Sequence, residues 1–158
     1  MLNTSANIKE PGLNILPPGV ERYVVNGGGL TGIQILPDDE IEIINNEGNQ
    51  ICEISVFNKE GKSEPAILNL KENKNASEIK KILSNKDESS LIALRQLKKR
   101  NLDISKSKAS IVFDKDTSWG EKVKIKSKDK CYCIFAAPGA EMLIHEQNPP
   151  TDLTIFVK

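Results

Sequence analysis

A strict two-residue alternation, interrupted at short intervals by turn formers, is the feature that most constrains this chain. "KVKIK" (Lys122 to Lys126) alternates without exception and "EIEII" (Glu40 to Ile44) nearly so. "DLTIFV", "ICEISVF", "ASIVF", "CYCIFAA" and "EMLIHE" are further runs of strand length, rich in β-branched and aromatic residues. Between them stand "LPDDE", "NNEGNQ", "NKEGKS", "APGAE" and "QNPPTD", all of them turn chemistry. Short strands so regularly punctuated predict antiparallel sheets closed into a sandwich or barrel, with about eight to ten strands.

The middle changes period. "NASEIKKIL" carries Ile79, Ile82 and Leu83 on one helical stripe, and Asn75 with Glu78 has the spacing of a capping box. "DESSLIALRQLKKRN" opens on Asp87 and Glu88, places Leu91, Leu94 and Leu97 on one side and closes on Lys98, Lys99 and Arg100, the charge order that suits a helix dipole. The fold class is therefore α+β, mainly β: one domain over 1–158, with an extended arm over 1–19 and a helical insertion over 75–101.

Composition narrows the function. Lysine plus arginine equals aspartate plus glutamate, 22 against 22, so no net field favours nucleic acid or an anionic membrane. No apolar run approaches the roughly 20 residues of a spanning helix, and "MLNTSANIKEPG" lacks the layout of a secretory signal. Three cysteines form no disulfide framework, which points to a reducing, cytoplasmic setting. Self-association into a homo-oligomer is left open.

Gly27, Gly28 and Gly29 are followed by the strand pattern "TGIQIL" rather than a helix, so the triplet reads as a sheet turn and not a phosphate loop. Cys131 and Cys133 share a strand face. With Cys52 and His145 they make up a Cys3His set, but each cysteine is in phase with apolar neighbours, and zinc is not favoured. His145 is the single histidine and so the one imidazole able to serve as acid or base. Asn49, Gln50 and Glu53 put polar groups at the head of a strand and are the candidate ligand-binding set. Glu53 shares its face with Ile51, Ser55 and Phe57. In a partly apolar pocket its carboxylate could hold a cation or act as a base, which makes Glu53 and His145 the catalytic candidates.

"GGGLTGIQILPDDEIEIINNEGNQICEISVFNKEGK" resembles the urea-carboxylase-associated family of domains, most closely the branch found N-terminal to aminomethyltransferase modules of the glycine-cleavage T-protein kind. Gly27 to Gly29, Asp39, Glu47, Gly48, Gln50 and Glu53 carry the resemblance, together with the closing "AAPGAEMLIHEQNPPTDLTIFVK". It covers residues 20–60 and 131–158, and the lysine-rich middle reads as a lineage insertion. The resemblance implies an accessory N-terminal domain cut from a longer chain, without a cofactor of its own. It also implies a downstream aminomethyltransferase-like partner domain and tetrahydrofolate-dependent one-carbon transfer there. Two alternatives stand beside it. One is a metal-assisted hydrolase of guanidine- or urea-derived compounds, built on Cys52, Cys131, Cys133 and His145 with Glu53 as base. The other is a non-catalytic interaction module.

Overall fold

The computed structural model describes residues 16–114, 116–139 and 149–158. Most of the N-terminal arm and the whole segment from 140 to 148, His145 and "EMLIHE" included, lie outside the described residues. Among those described, eight strands form two antiparallel four-stranded sheets. β1 (Glu21–Val25), β8 (Leu153–Val157), β3 (Glu40–Asn45) and β6 (Glu121–Lys126) build one sheet, in that order. β2 (Leu30–Ile35), β7 (Cys131–Ala136), β4 (Cys52–Phe57) and β5 (Ala109–Val112) build the other. The fold is thus a sandwich, with α1 (Glu78–Ser84) and α2 (Glu88–Lys99) packed as a third layer on the second sheet.

The alternation read in the sequence sets this layering. Ile41 and Ile43 of β3 and Leu153, Ile155 and Val157 of β8 turn inward from the first sheet. Cys52, Ile54 and Val56 of β4 and Cys131, Cys133 and Phe135 of β7 meet them from the second. The lysines of "KVKIK" take the opposite phase: Lys122, Lys124 and Lys126 are exposed, and Lys124 pairs with Glu42 across the ladder at 3.8 Å. β4 departs from this half-wet pattern. All six of its residues are buried, because the helices cover the face that would otherwise meet water.

Two local readings are corrected. Asn75 and Glu78 do not form a capping box: α1 begins at Glu78 with Ser77 in the cap position, and Ser77 makes no side-chain cap bond. On α2 the inward stripe is Ser90, Ala93, Leu94 and Leu97, whereas Leu91 is exposed. The Ser90 hydroxyl donates to the Ile82 carbonyl at 2.7 Å, so a polar bond at the joint with α1 takes the place of one apolar contact.

The glycine triplet is the turn between β1 and β2. The Gly29 amide donates to the Asn26 carbonyl at 2.8 Å while Gly28 takes a φ of 81° that favours glycine.

Candidate functional site

Glu53 sits on a central strand, opposite Ala136 of β7 on one side and Ile111 of β5 on the other. Its side chain points with Ser55 and Phe57 into the helix layer and is 1% exposed. The space it enters is the underside of α1. There the carboxylate accepts from the Glu78 amide at 3.1 Å and from the Ile79 amide at 2.7 Å, one oxygen to each. The first amides of a helix have no partner inside the helix, and a carboxylate at that end also meets the positive pole of the dipole. A residue 25 positions upstream therefore supplies the cap that Ser77 does not. Both oxygens are engaged, and the three best-formed clefts among the described residues are lined by other side chains.

Gln50 is equally occupied and is 3% exposed. Its amide nitrogen donates to the Ile51 and Pro138 carbonyls, both at 2.8 Å, and its oxygen accepts from the Thr151 amide at 2.8 Å. One side chain thus ties the head of β4 to the chain leaving β7 and to the chain entering β8. Asn45 adds a bond from its Nδ2 to the Gln50 carbonyl at 2.8 Å. Two buried oxygens beside this knot, Asn45 Oδ1 and Thr151 Oγ1, have no partner among the described residues.

Asn49 is exposed, with a φ of 56°, and its amide donates to the Thr117 carbonyl at 2.8 Å. Gly48 makes that docking fit. A Cβ there would come within 2.6 Å of both the Thr117 oxygen and the Trp119 nitrogen. "NNEGNQ" is therefore the seat of the turn before β6.

The three cysteines are buried and free. Cys131 and Cys133 approach to 3.6 Å between sulfurs, and the Ser127 hydroxyl lies 3.8 Å from the Cys131 sulfur. Cys52 is elsewhere. Cys133 lies opposite Val56, four residues further along β4, which separates Cys52 from Cys133 by roughly 13 Å at strand rise. Zinc–sulfur bonds of about 2.3 Å cannot span that gap, so the three thiols do not share one ion. Among the described residues no group of three or more histidine, cysteine or acidic side chains is placed to hold a metal. Burial pushes the Cys52 and Cys133 thiols well up. The hydrogen bond with Cys133, helped by Ser127, holds Cys131 below the ordinary thiol range against its own partial burial.

One cleft, of about 410 Å³, opens at the end of the second sheet and was not anticipated. Arg100, just beyond α2, lies over the Tyr132 ring at 4.2 Å from its centroid and reaches Gln34 Oε1 at 3.4 Å. Lys59, Leu102 and Lys130 are also part of the wall. In the sequence Arg100 looks like the end of a basic helix turn, and Tyr132 like one residue of a strand. Nothing local links them; the one available signal is Gly32, which faces the ring across β2 and β7.

Among the described residues no helix is long and apolar enough to cross a membrane. No protein-family model matches the chain, so the urea-carboxylase-associated resemblance gains no support from that comparison. The chain is similar to the trimethylamine-oxide aldolase of Ruegeria pomeroyi, 33% identical over 152 residues. The match takes in 96% of this chain, and so runs through the helical stretch as well, but only 19% of that enzyme. The chain spans about a fifth of the length of the curated relative it matches.

Proposed function

We propose that this chain is an accessory β-sandwich domain of a larger enzyme acting on methylated nitrogen compounds, and that the chemistry belongs to other parts of that enzyme. One observation carries the reading: among the described residues, the candidate side chains Glu53 and Gln50 are taken up in holding the domain together. Glu53 caps α1 through both oxygens, and Gln50 makes three bonds to backbone. A general base needs a lone pair facing a substrate, and neither residue offers one here. The match to about a fifth of an enzyme named for trimethylamine oxide agrees with a supporting part. Trimethylamine oxide carries its one-carbon groups on nitrogen. The finer reading, a downstream aminomethyltransferase-like partner using tetrahydrofolate, therefore stays within the proposal.

The test is a domain exchange. This chain should replace the matching stretch of the Ruegeria enzyme with activity on trimethylamine oxide retained, deletion of that stretch should abolish activity or assembly, and the isolated chain should consume no trimethylamine oxide. Turnover by the isolated chain, or full activity after simple deletion, would overturn the accessory role.

A further inference from the structure

The cleft at the end of the second sheet has an all-cationic set of charged residues in its lining. Its lining contains three cations, Lys59, Arg100 and Lys130, and no carboxylate, although acids and bases balance over the whole chain. Lys59 has Asp129 at 3.4 Å as a surface partner. Arg100 has only neutral partners among the described residues: the Tyr132 ring beneath it and the Gln34 amide oxygen at its edge. A guanidinium held over a ring keeps its charge and leaves donors of its fork available. It is then preorganised for an oxyanion and pays little entropy on binding one.

The seat of that arginine is fixed by the backbone. Gly32 faces the Tyr132 phenol so closely that any Cβ at position 32 would collide with it. The negative pole of α2 would oppose an anion here, but the carbonyls of Gln96, Leu97 and Lys98 in its last turn are already occupied. The Asn101 amide donates to Lys98 at 3.1 Å and the Leu102 amide to Leu97 at 2.9 Å, with Asn101 at a φ of 57°. Leu102 and the Tyr132 ring supply an apolar wall beside the cations.

We infer that this cleft binds a small organic oxyanion, a carboxylate or a phosphate monoester with a flat apolar body. Arg100 takes the charge, Lys130 assists, and Tyr132 and Leu102 contact the body. The inference is independent of whether the domain catalyses anything.

The experiment is an amide NMR titration of the 158-residue chain with phenyl phosphate, with benzoate, and with neutral benzyl alcohol. At least one anion should give saturable shifts centred on Gly61, Leu102 and Tyr132, and benzyl alcohol should give none. Arg100→Met should weaken that binding about tenfold or more, the scale of a lost charge-assisted hydrogen bond. Lys130→Met should weaken it less, and Lys122→Met, on the other sheet, should leave it unchanged. The preferred anion identifies the ligand class. Saturable binding of neither anion, equal binding of benzyl alcohol, or affinity unchanged in both Arg100→Met and Lys130→Met would overturn the site.

Discussion

The carboxylate of Glu53 receives the Ile79 amide at 2.7 Å, joining the central strand of one sheet to the first turn of the helix above it. α1 has seven residues, too short to be stable in water without tertiary support. Glu53 gives that support at the end where unpaired amides would otherwise be buried.

Replacing Glu53 by alanine should therefore cost about 2–4 kcal/mol, since it removes two charge-assisted bonds and strands buried donors. Glu53→Gln keeps one acceptor oxygen and should cost about half as much. Urea unfolding gives the totals, and amide exchange gives the location: protection at Ile79 and Ile82 should fall before that of β3 or β8. A pocket base would behave differently, with Glu53→Gln leaving stability unchanged.

Gln50 leads to a sign prediction. Its nitrogen faces two carbonyls, so Gln50→Glu would aim a carboxylate at the Ile51 and Pro138 oxygens. The folded state then favours the protonated acid, and the variant's pKa rises above its unfolded value. Stability relative to wild type should be restored as pH falls and lost as pH rises through the folded pKa. Gln50→Ala should cost about 2–3 kcal/mol with no such pH dependence. Thermal unfolding between mildly acidic and neutral pH separates the two; parallel curves for both variants would show that Gln50 is not held by those carbonyls.

The layers of this fold are legible in the sequence because strand alternation is local: Lys122 to Lys126 and Glu40 to Ile44 announce their own faces. Caps and sites that bridge distant residues are not. Asn75 and Glu78 match a capping box in spacing, yet the cap comes from a strand 25 residues earlier, and no short pattern records that distance. The face shared by Glu53, Ser55 and Phe57 is legible, but whether the carboxylate meets solvent or a pocket is not; that helix amides fill the space depends on the packing of α1. Arg100 and Tyr132 were unreadable as a pair for the same reason. Cys131 and Cys133 could be placed together from their spacing, while their separation from Cys52 required the register of β4 on β7.

Asp87 makes the stability of α2 depend on pH. Its carboxylate accepts from the Ser90 amide at 2.8 Å and the Ser89 hydroxyl at 3.0 Å. The backbone bond from Ser90, with help from the Ser89 hydroxyl, holds its pKa below the ordinary aspartate value. A depressed folded pKa means the contribution is present above the unfolded value of about 3.9 and is lost as pH falls through the folded one. Helix content and exchange protection at Ser90 should fall in that acidic window. Asp87→Asn, which still caps, should flatten the change, and Asp87→Ala should weaken the helix start at every pH. A wild-type profile unchanged by Asp87→Asn would assign the acid sensitivity elsewhere.

The cysteines should react in a fixed order. A thiol is nucleophilic only as thiolate, and accessibility decides how fast reagent reaches it. Cys131 borders the cleft, and its bond with Cys133 favours ionisation, whereas Cys133 and Cys52 are pushed the other way by burial. Limited alkylation with iodoacetamide near neutral pH, read by peptide mass spectrometry, should label Cys131 before either Cys52 or Cys133. The same geometry predicts that Cys52 shares no metal ion with Cys131 and Cys133, because Cys52 stands roughly 13 Å along the ladder from Cys133. One zinc per chain, lost in both Cys131→Ser and Cys52→Ser, would put Cys131 and Cys52 on one ion and would contradict the register of β4 on β7.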